Sequence, residues 1–321
     1  MKTDLDNQEY FQETLRSSDN RMLKIAYSPI YKYQLPEGHR FPMIKYELIP
    51  DQLLYEGIIS KENFFHPNKM EDDLILTTHT SEYLDKLNTL NLDRREIRDI
   101  GFPVHESLIH RGKHIANGTL ECAYFAREYG VSMNVAGGTH HAYANRGEGF
   151  CVFNDIALAA NIMLKRKLAD KILIVDLDVH QGNGTAKIFE NENRVFTFSM
   201  HGERNYPLRK EKSDLDIGLP DGCKDEEYLK VLESTLPRLL HNENPDLVFY
   251  LSGVDVLDTD KLGRLSLTKE GCKNRDRMVL ELCHAKSIPV AISMGGGYSH
   301  KIADIIDAHC NTFRQALSIY F

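Results

Sequence analysis

From Ser132 onward the chain alternates short apolar runs with longer stretches of helical period. Five runs read as strands: Ser132–Ala136, Lys171–Leu177, Arg194–Met200, Asp246–Leu251 and Pro289–Met294. They are nearly continuous rather than alternating in polarity, as expected of strands covered on both faces. Between them, Asn154–Lys167 opens on an Asn-Asp pair suited to an N-cap and carries Ile156, Ala160 and Leu164 on one face. Asp225–Leu240 and Thr268–Ala285 also open on capping residues, and Ser299–Phe321 carries the apolar stripe Ile302, Ile305 and Ile306. This alternation predicts an α/β fold, a parallel sheet between helices, with the active site in the loops beyond the carboxyl ends of the strands. The first third is less regular. Lys24–Tyr27 reads as an initial strand, Ile49–Ile59 and Ser81–Leu90 as helices, and residues 91–117 show no clear period.

Composition narrows the picture modestly. A chain of 321 residues, 42% hydrophobic and without a Pro/Ser/Gly-rich linker, predicts one domain over residues 21–321. Residues 1–20 are polar and are expected to form a loose leader. The formal net charge of −8 with dispersed basic residues gives no sign of a nucleic-acid footprint, and no nucleic-acid partner is expected. The six cysteines form no C-x-x-C and read as reduced thiols. With neither a signal-peptide pattern nor an apolar run of ~20 residues, the expected location is the cytoplasm, with no membrane span.

The chemistry gathers at the strand ends. After Lys171–Leu177 comes D-L-D-V-H-Q-G-N-G, Asp176 to Gly184; after Asp246–Leu251 comes S-G-V-D, ending at Asp255. Asp178 and His180, two apart at a strand end, can point to the same side, and Asp255 can complete an Asp₂His set that leaves one position open on a zinc ion. After Ser132–Ala136 comes G-G-T-H-H, ending in His140 and His141; a tandem pair after a Gly-Gly turn suits acid/base chemistry at neutral pH. The other eleven of the 14 histidines are read as structural or surface residues. After Pro289–Met294 comes G-G-G-Y, whose glycines permit close backbone approach and whose Tyr298 can donate to an oxyanion.

Together, GGTHHA (137–142), GFCVFND (149–155), VDLDVHQGNG (175–184), SGVD (252–255) and GGGYS (295–299) resemble the histone deacetylase family. The wording of the Asp176–Gly184 segment, with LDTDKLGRLSLT (257–268), is most similar to its class IV, histone deacetylase 11-like branch; LPEGHRFPMIKY (35–46) resembles bacterial members. The resemblance implies an arginase/deacetylase fold, a three-layer α/β sandwich around a mostly parallel sheet of about eight strands. It implies one zinc ion on Asp178, His180 and Asp255, catalytic His140 and His141 backed by Asp176 and Asn183, and Tyr298 as oxyanion donor. It further implies that the Gly149 carbonyl and Phe150 bind substrate, and that a potassium ion lies by Asp176, Asp178, His180, Ser199 and Met200. Many class I relatives carry Asp where this chain has Asn183; an amide favours imidazolium less, so His141 is expected neutral near pH 7 and His140 more readily protonated.

The implied reaction is hydrolysis of an Nε-acyl-lysine amide, acetyl or long-chain fatty acyl, with an acetylated small amine or polyamine as the alternative substrate. A ureohydrolase with two manganese ions ordinarily carries D-x-H-x-D, and Gly182 stands in the last position here. A non-catalytic acyl-lysine reader would lack a ligand or the tyrosine, whereas every matched position is filled. Oligomeric state is open.

Overall fold

The computed structural model describes residues 21–321, so the expected leader over residues 1–20 lies outside the described residues. Eight strands form one sheet: β1 (Lys24–Ala26), β2 (Phe64–Phe65), β3 (Val131–Asn134), β4 (Ile172–Asp176), β5 (Val195–Gly202), β6 (Leu215–Leu219), β7 (Leu247–Leu251) and β8 (Val290–Ser293). Their order is β2-β1-β3-β8-β7-β4-β5-β6 and every pairing is parallel, so the expected "mostly parallel" sheet is parallel throughout. β3, β4, β7 and β8 are buried along their whole length, which accounts for their unbroken apolar runs.

Ten α-helices flank the sheet among the described residues: α1 (Lys45–Tyr55), α2 (Asp72–Ile75), α3 (Ser81–Asn88), α4 (Arg94–Ile100), α5 (Glu106–Tyr129), α6 (Asp155–Lys165), α7 (Asn183–Phe189), α8 (Asp225–Asn242), α9 (Lys269–Ala285) and α10 (Ile302–Tyr320). α5 packs on β1, β3 and β8 with α6 beside it; α8, α9, α10 and α1 pack on one another in succession. Asn154 and Thr268 act as the side-chain caps of α6 and α9, accepting from the Ala157 and Gly271 amides. No described helix is long and apolar enough to cross a membrane. All six cysteines are buried and free.

Three expectations need correction. The helix expected at Ile49–Ile59 runs instead over Lys45–Tyr55. The stretch 91–117 holds α4, started by a reciprocal Asp93–Glu96 capping box and ended by Gly101 at φ 78°, and the first half of α5. α5 buries Arg111, Lys113 and Thr119 along with its apolar residues, which erases an apolar stripe. β6 was not expected: its L-D-I-G-L pattern alternates in burial, as befits the edge of the sheet.

The sheet order explains why distant motifs meet. β3, β8, β7 and β4 are neighbours, and Asn134, Ser293, Leu251 and Asp176 pair in one row across their carboxyl ends. The loops that follow this row open on the same edge.

Candidate functional site

The segment after β4 turns sharply, because the Asp178 amide donates to Asp176 Oδ1 (3.1 Å) and the His180 amide to Asp178 Oδ1 (2.9 Å). The loop after β7 sits against it, with the Val179 amide donating to Asp255 Oδ1 at 3.0 Å. Asp178, His180 and Asp255 are all buried and can each offer one ligand atom, all within 4.8 Å of one another. His180 Nδ1 lies 3.0 Å from Asp178 Oδ1 and 3.2 Å from Asp255 Oδ2. Asp255 Oδ2 has no hydrogen-bond donor although it is buried. An orphaned buried carboxylate oxygen is costly unless something positive meets it. Burial alone lowers the His180 pKa, but the hydrogen bond to Asp178 and the charges of Asp178 and Asp255 lift it to about 10. The three groups together draw a positive charge, and two carboxylates with one imidazole suit a divalent ion with an open position.

Glycine 296 makes this approach possible. A Cβ there would lie 2.0 Å from Asp255 Oδ2 and 2.8 Å from Asp178 Oδ2. At Gly182 a Cβ would meet Asp176 Oδ2 at 2.4 Å, so the position where a two-manganese site carries its further carboxylate has no room for a side chain.

His140 and His141 follow β3 and lie beside this cluster, ring centroids 4.1 Å apart. His140 Nδ1 contacts Asp176 Oδ2 at 2.7 Å and its Nε2 is 3.9 Å from Asp178 Oδ1. His141 Nδ1 contacts Asn183 Oδ1 at 2.6 Å. Burial depresses the pKa of both rings, but Asp176 outweighs burial at His140 and raises it. At His141 burial and the neighbouring His140 and His180 act together, and the pKa falls well below the usual value. The direction is the one expected from the sequence, but its causes are burial and the two neighbouring imidazoles; the Asn183 hydrogen bond acts against it.

Tyr298 faces the same space, its ring centroid 6.5 Å from His180. Burial and the Asp255 and Asp178 charges hold its phenol protonated, as an oxyanion donor requires. Phe150 sits at φ 69° after Gly149 at φ 55°, a strained turn pinned by amide bonds from Gly149 to Asp99 O (2.9 Å) and from Phe150 to Ile100 O (2.7 Å). Its ring packs with Phe102, Phe41 and Tyr298 at 5.0, 5.3 and 6.2 Å between centroids. A cavity of about 40 Å³ runs between these rings and reaches Tyr46, Arg111 and Ile115 behind the histidines. Outside it opens a mouth of about 530 Å³ bordered by Arg40, Arg98, Asp99, Glu148, Tyr206 and Leu262. Ser199 and Met200 are buried on β5, where Ser199 pairs with Asp176 and its hydroxyl is 2.9 Å from His201 Nδ1.

Several supporting residues were not singled out from the sequence. Fully buried Arg275, paired with Asp276, donates to the carbonyls of Leu177 (3.1 Å) and Gly253 (2.6 Å) and so ties together the loops that carry Asp178 and Asp255. Asp260 accepts the Tyr298 amide at 2.6 Å and those of Leu262 and Gly263 at 2.8 and 2.9 Å. Lys45, fully buried at the start of α1, donates to Gly295 O at 3.1 Å; burial, only partly offset by Asp255, Asp178 and Asp260, lowers its pKa to about 8. Asp155 holds the histidine loop through the Gly138 and Thr139 amides. Asp155, Asp260 and Lys45 each lie within a quoted motif, whereas Arg275 lies in none. Of the histidines read as structural, His39 joins the aromatic wall, 5.9 Å from Phe150.

Comparison with known proteins agrees with this geometry. The model of the histone deacetylase domain matches residues 39–313. An uncharacterized protein of Picosynechococcus is 43% identical over 92% of this chain and 99% of its own length. Histone deacetylase 2 of Arabidopsis thaliana is 30% identical over 92% of this chain and 80% of its own. The crystal structure of a histone deacetylase homolog complexed with SAHA superposes with a TM-score of 0.78 at 23% identity, covering 92% of this chain and 84% of that one.

Proposed function

The chain belongs to the histone deacetylase family, hydrolases that act on amides, and from that premise we propose that it removes a short acyl group, foremost acetyl, from the Nε atom of lysine or a related primary amine. One observation carries the reading: the buried Asp178–His180–Asp255 cluster, the histidine pair and Tyr298 meet at a cavity of about 40 Å³. Such a volume holds a few water-sized groups, by a scale on which one water needs about 10–15 Å³. It accommodates an acetyl methyl but not a fatty chain unless Tyr46 and Arg111 move.

Asp178, His180 and Asp255 would hold a single zinc ion, which supplies Lewis acidity toward the amide carbonyl and the attacking water. His141, neutral, accepts the water proton and returns it to the leaving amine. His140, charged through Asp176, stabilises the negative charge that develops beside it. The Tyr298 phenol donates to the same oxyanion. The Gly149 carbonyl accepts the substrate amide N–H, and Phe150 lines the stem of the chain. Asp176, Asp178, His180, Ser199 and the Met200 backbone would offer the oxygen-rich surroundings a potassium ion prefers.

The test is a panel of lysine amides from acetyl to myristoyl, assayed against zinc bound per chain. Acetyl-lysine is expected to turn over fastest, at one zinc per chain. Tyr298→Phe is expected to retain the zinc and lose about 10²–10³ in kcat. Full activity in that variant, or a preference for myristoyl, would overturn the reading.

A further inference from the structure

Asn183 has two ends that look alike in shape and opposite in chemistry. Its Oδ1 faces His141 Nδ1 at 2.6 Å, and its Nδ2 faces Glu148 Oε1 at 3.0 Å and the Tyr143 hydroxyl at 3.1 Å. Flipped, the amide would offer its oxygen to Glu148 and its N–H groups to His141. Tyr143 suits either orientation, since a hydroxyl both donates and accepts, and its own proton can go to Glu211 (3.1 Å). A carboxylate only accepts. Glu148 is therefore the group that decides which way the amide points. It is itself held, taking the Tyr206 hydroxyl on Oε1, with Arg146 Nε 3.6 Å from its other oxygen. The Tyr206 ring stands edge-on to His141, 5.0 Å between centroids.

The consequence reaches the catalytic ring. With Oδ1 of Asn183 against it, His141 Nδ1 has to carry a proton, and the lone pair is left on Nε2. We propose that Glu148 is a positioning residue, which through Asn183 locks His141 in the tautomer able to accept a proton at Nε2. No hydrogen bond or ion pair joins Glu148 to His141 or the ligand cluster among the described residues, so its polar link to the ring passes through an amide that carries no charge.

The direct test reads the tautomer itself. In the full chain labelled with ¹⁵N in the histidine rings, the His141 signals are identified by their loss in His141→Gln. The wild type is expected to show a protonated Nδ1 and a bare Nε2. Glu148→Met removes the acceptor at similar length and should move both signals toward a mixture of tautomers; Glu148→Gln, whose amide oxygen still accepts, should restore them. Unchanged His141 signals in Glu148→Met would overturn the proposal.

Turnover supplies a second readout, and only this part rests on the deacylase reading. On an acetyl-lysine peptide, Glu148→Met should lower kcat about tenfold, the scale of a hydrogen bond to a charged group, with KM little changed. In the Asn183→Asp background the loss should disappear. A carboxylate at 183 accepts with either oxygen and has no wrong orientation for Glu148 to prevent. A loss in both backgrounds marks a merely structural role and sinks the inference. If the wild type hydrolyses none of the acyl substrates, the deacylase reading fails, while the ring signals still decide the role of Glu148.

Discussion

His140 and His141 leave the same strand and are both buried, yet they are set for opposite protonation states. His140 has a carboxylate behind it, Asp176 at 2.7 Å, and its pKa is raised; His141 has an amide, Asn183 at 2.6 Å, and its pKa is pushed down. Burial depresses both rings, so the difference comes from the Asp176 charge that lifts His140 and from the charges of His140 and His180, which press His141 down against the Asn183 hydrogen bond. A charged ring next to a neutral one is an acid/base pair made from a single residue type. It also means the two cannot be exchanged: the second histidine stays a base partly because the first already holds a proton.

Truncating the rings breaks the comparison most directly. On the proposed roles, His141→Ala removes the proton acceptor and is expected to cost about 10²–10⁴ in kcat. His140→Ala removes only charge stabilisation and should cost less, about 10²-fold. If His140→Ala proves the more damaging on the same acetyl-lysine peptide, the two roles have to be exchanged.

A smaller change sharpens it. Asn183→Asp puts a carboxylate behind His141, beside Glu148, and favours the imidazolium. A base works when unprotonated, so raising its pKa moves the acidic limb of the kcat profile to higher pH. A shift of about one unit corresponds to a tenfold loss on that limb. A limb that stays in place would show that burial and the neighbouring His140 and His180, rather than the group behind the ring, set the protonation of His141.

How much of this was visible in the sequence depended on where each residue lies. The strand ends were legible because buried parallel strands leave unbroken apolar runs, and Asp178, His180, His140 and Tyr298 follow those runs at once. Residues acting from inside helices left no such mark. Arg275 on α9 is fully buried while Arg277, two positions on, is half exposed, and only the packed structure separates them. Lys45 lay just before the stretch expected to be helical, and its carbonyl partner is 250 residues away. β6 was missed because an edge strand alternates in burial and Gly218 interrupts it. The size of the inner cavity depends on Phe41, Tyr46 and Arg111, all from the region of the chain where periodicity was weakest.

A third histidine isolates what burial does when no charged partner stands behind the ring. His79 is 2% exposed; its Nε2 accepts the Asn154 amide at 3.1 Å and its Nδ1 faces the Ala144 carbonyl at 3.3 Å. Burial lowers its pKa to about 4, only partly offset by backbone carbonyls. Between that value and the unfolded pKa of about 6.5 the unfolded chain binds the extra proton, so stability falls as pH drops. The contribution is complete above about pH 6.5 and lost as pH falls through about 4; at 1.36 kcal/mol per unit it amounts to about 3 kcal/mol at most. Protonation would also set two donors, Nε2–H and the Asn154 amide, against each other. His79→Gln keeps a donor and an acceptor but does not titrate. Its Tm should be lower at pH 7.5 and fall less between pH 7.5 and 5 than that of the wild type. Equal acid slopes in the two proteins would mean that burial by itself does not hold a histidine neutral in this fold, and that the neutral state of His141 has to come from its charged neighbours.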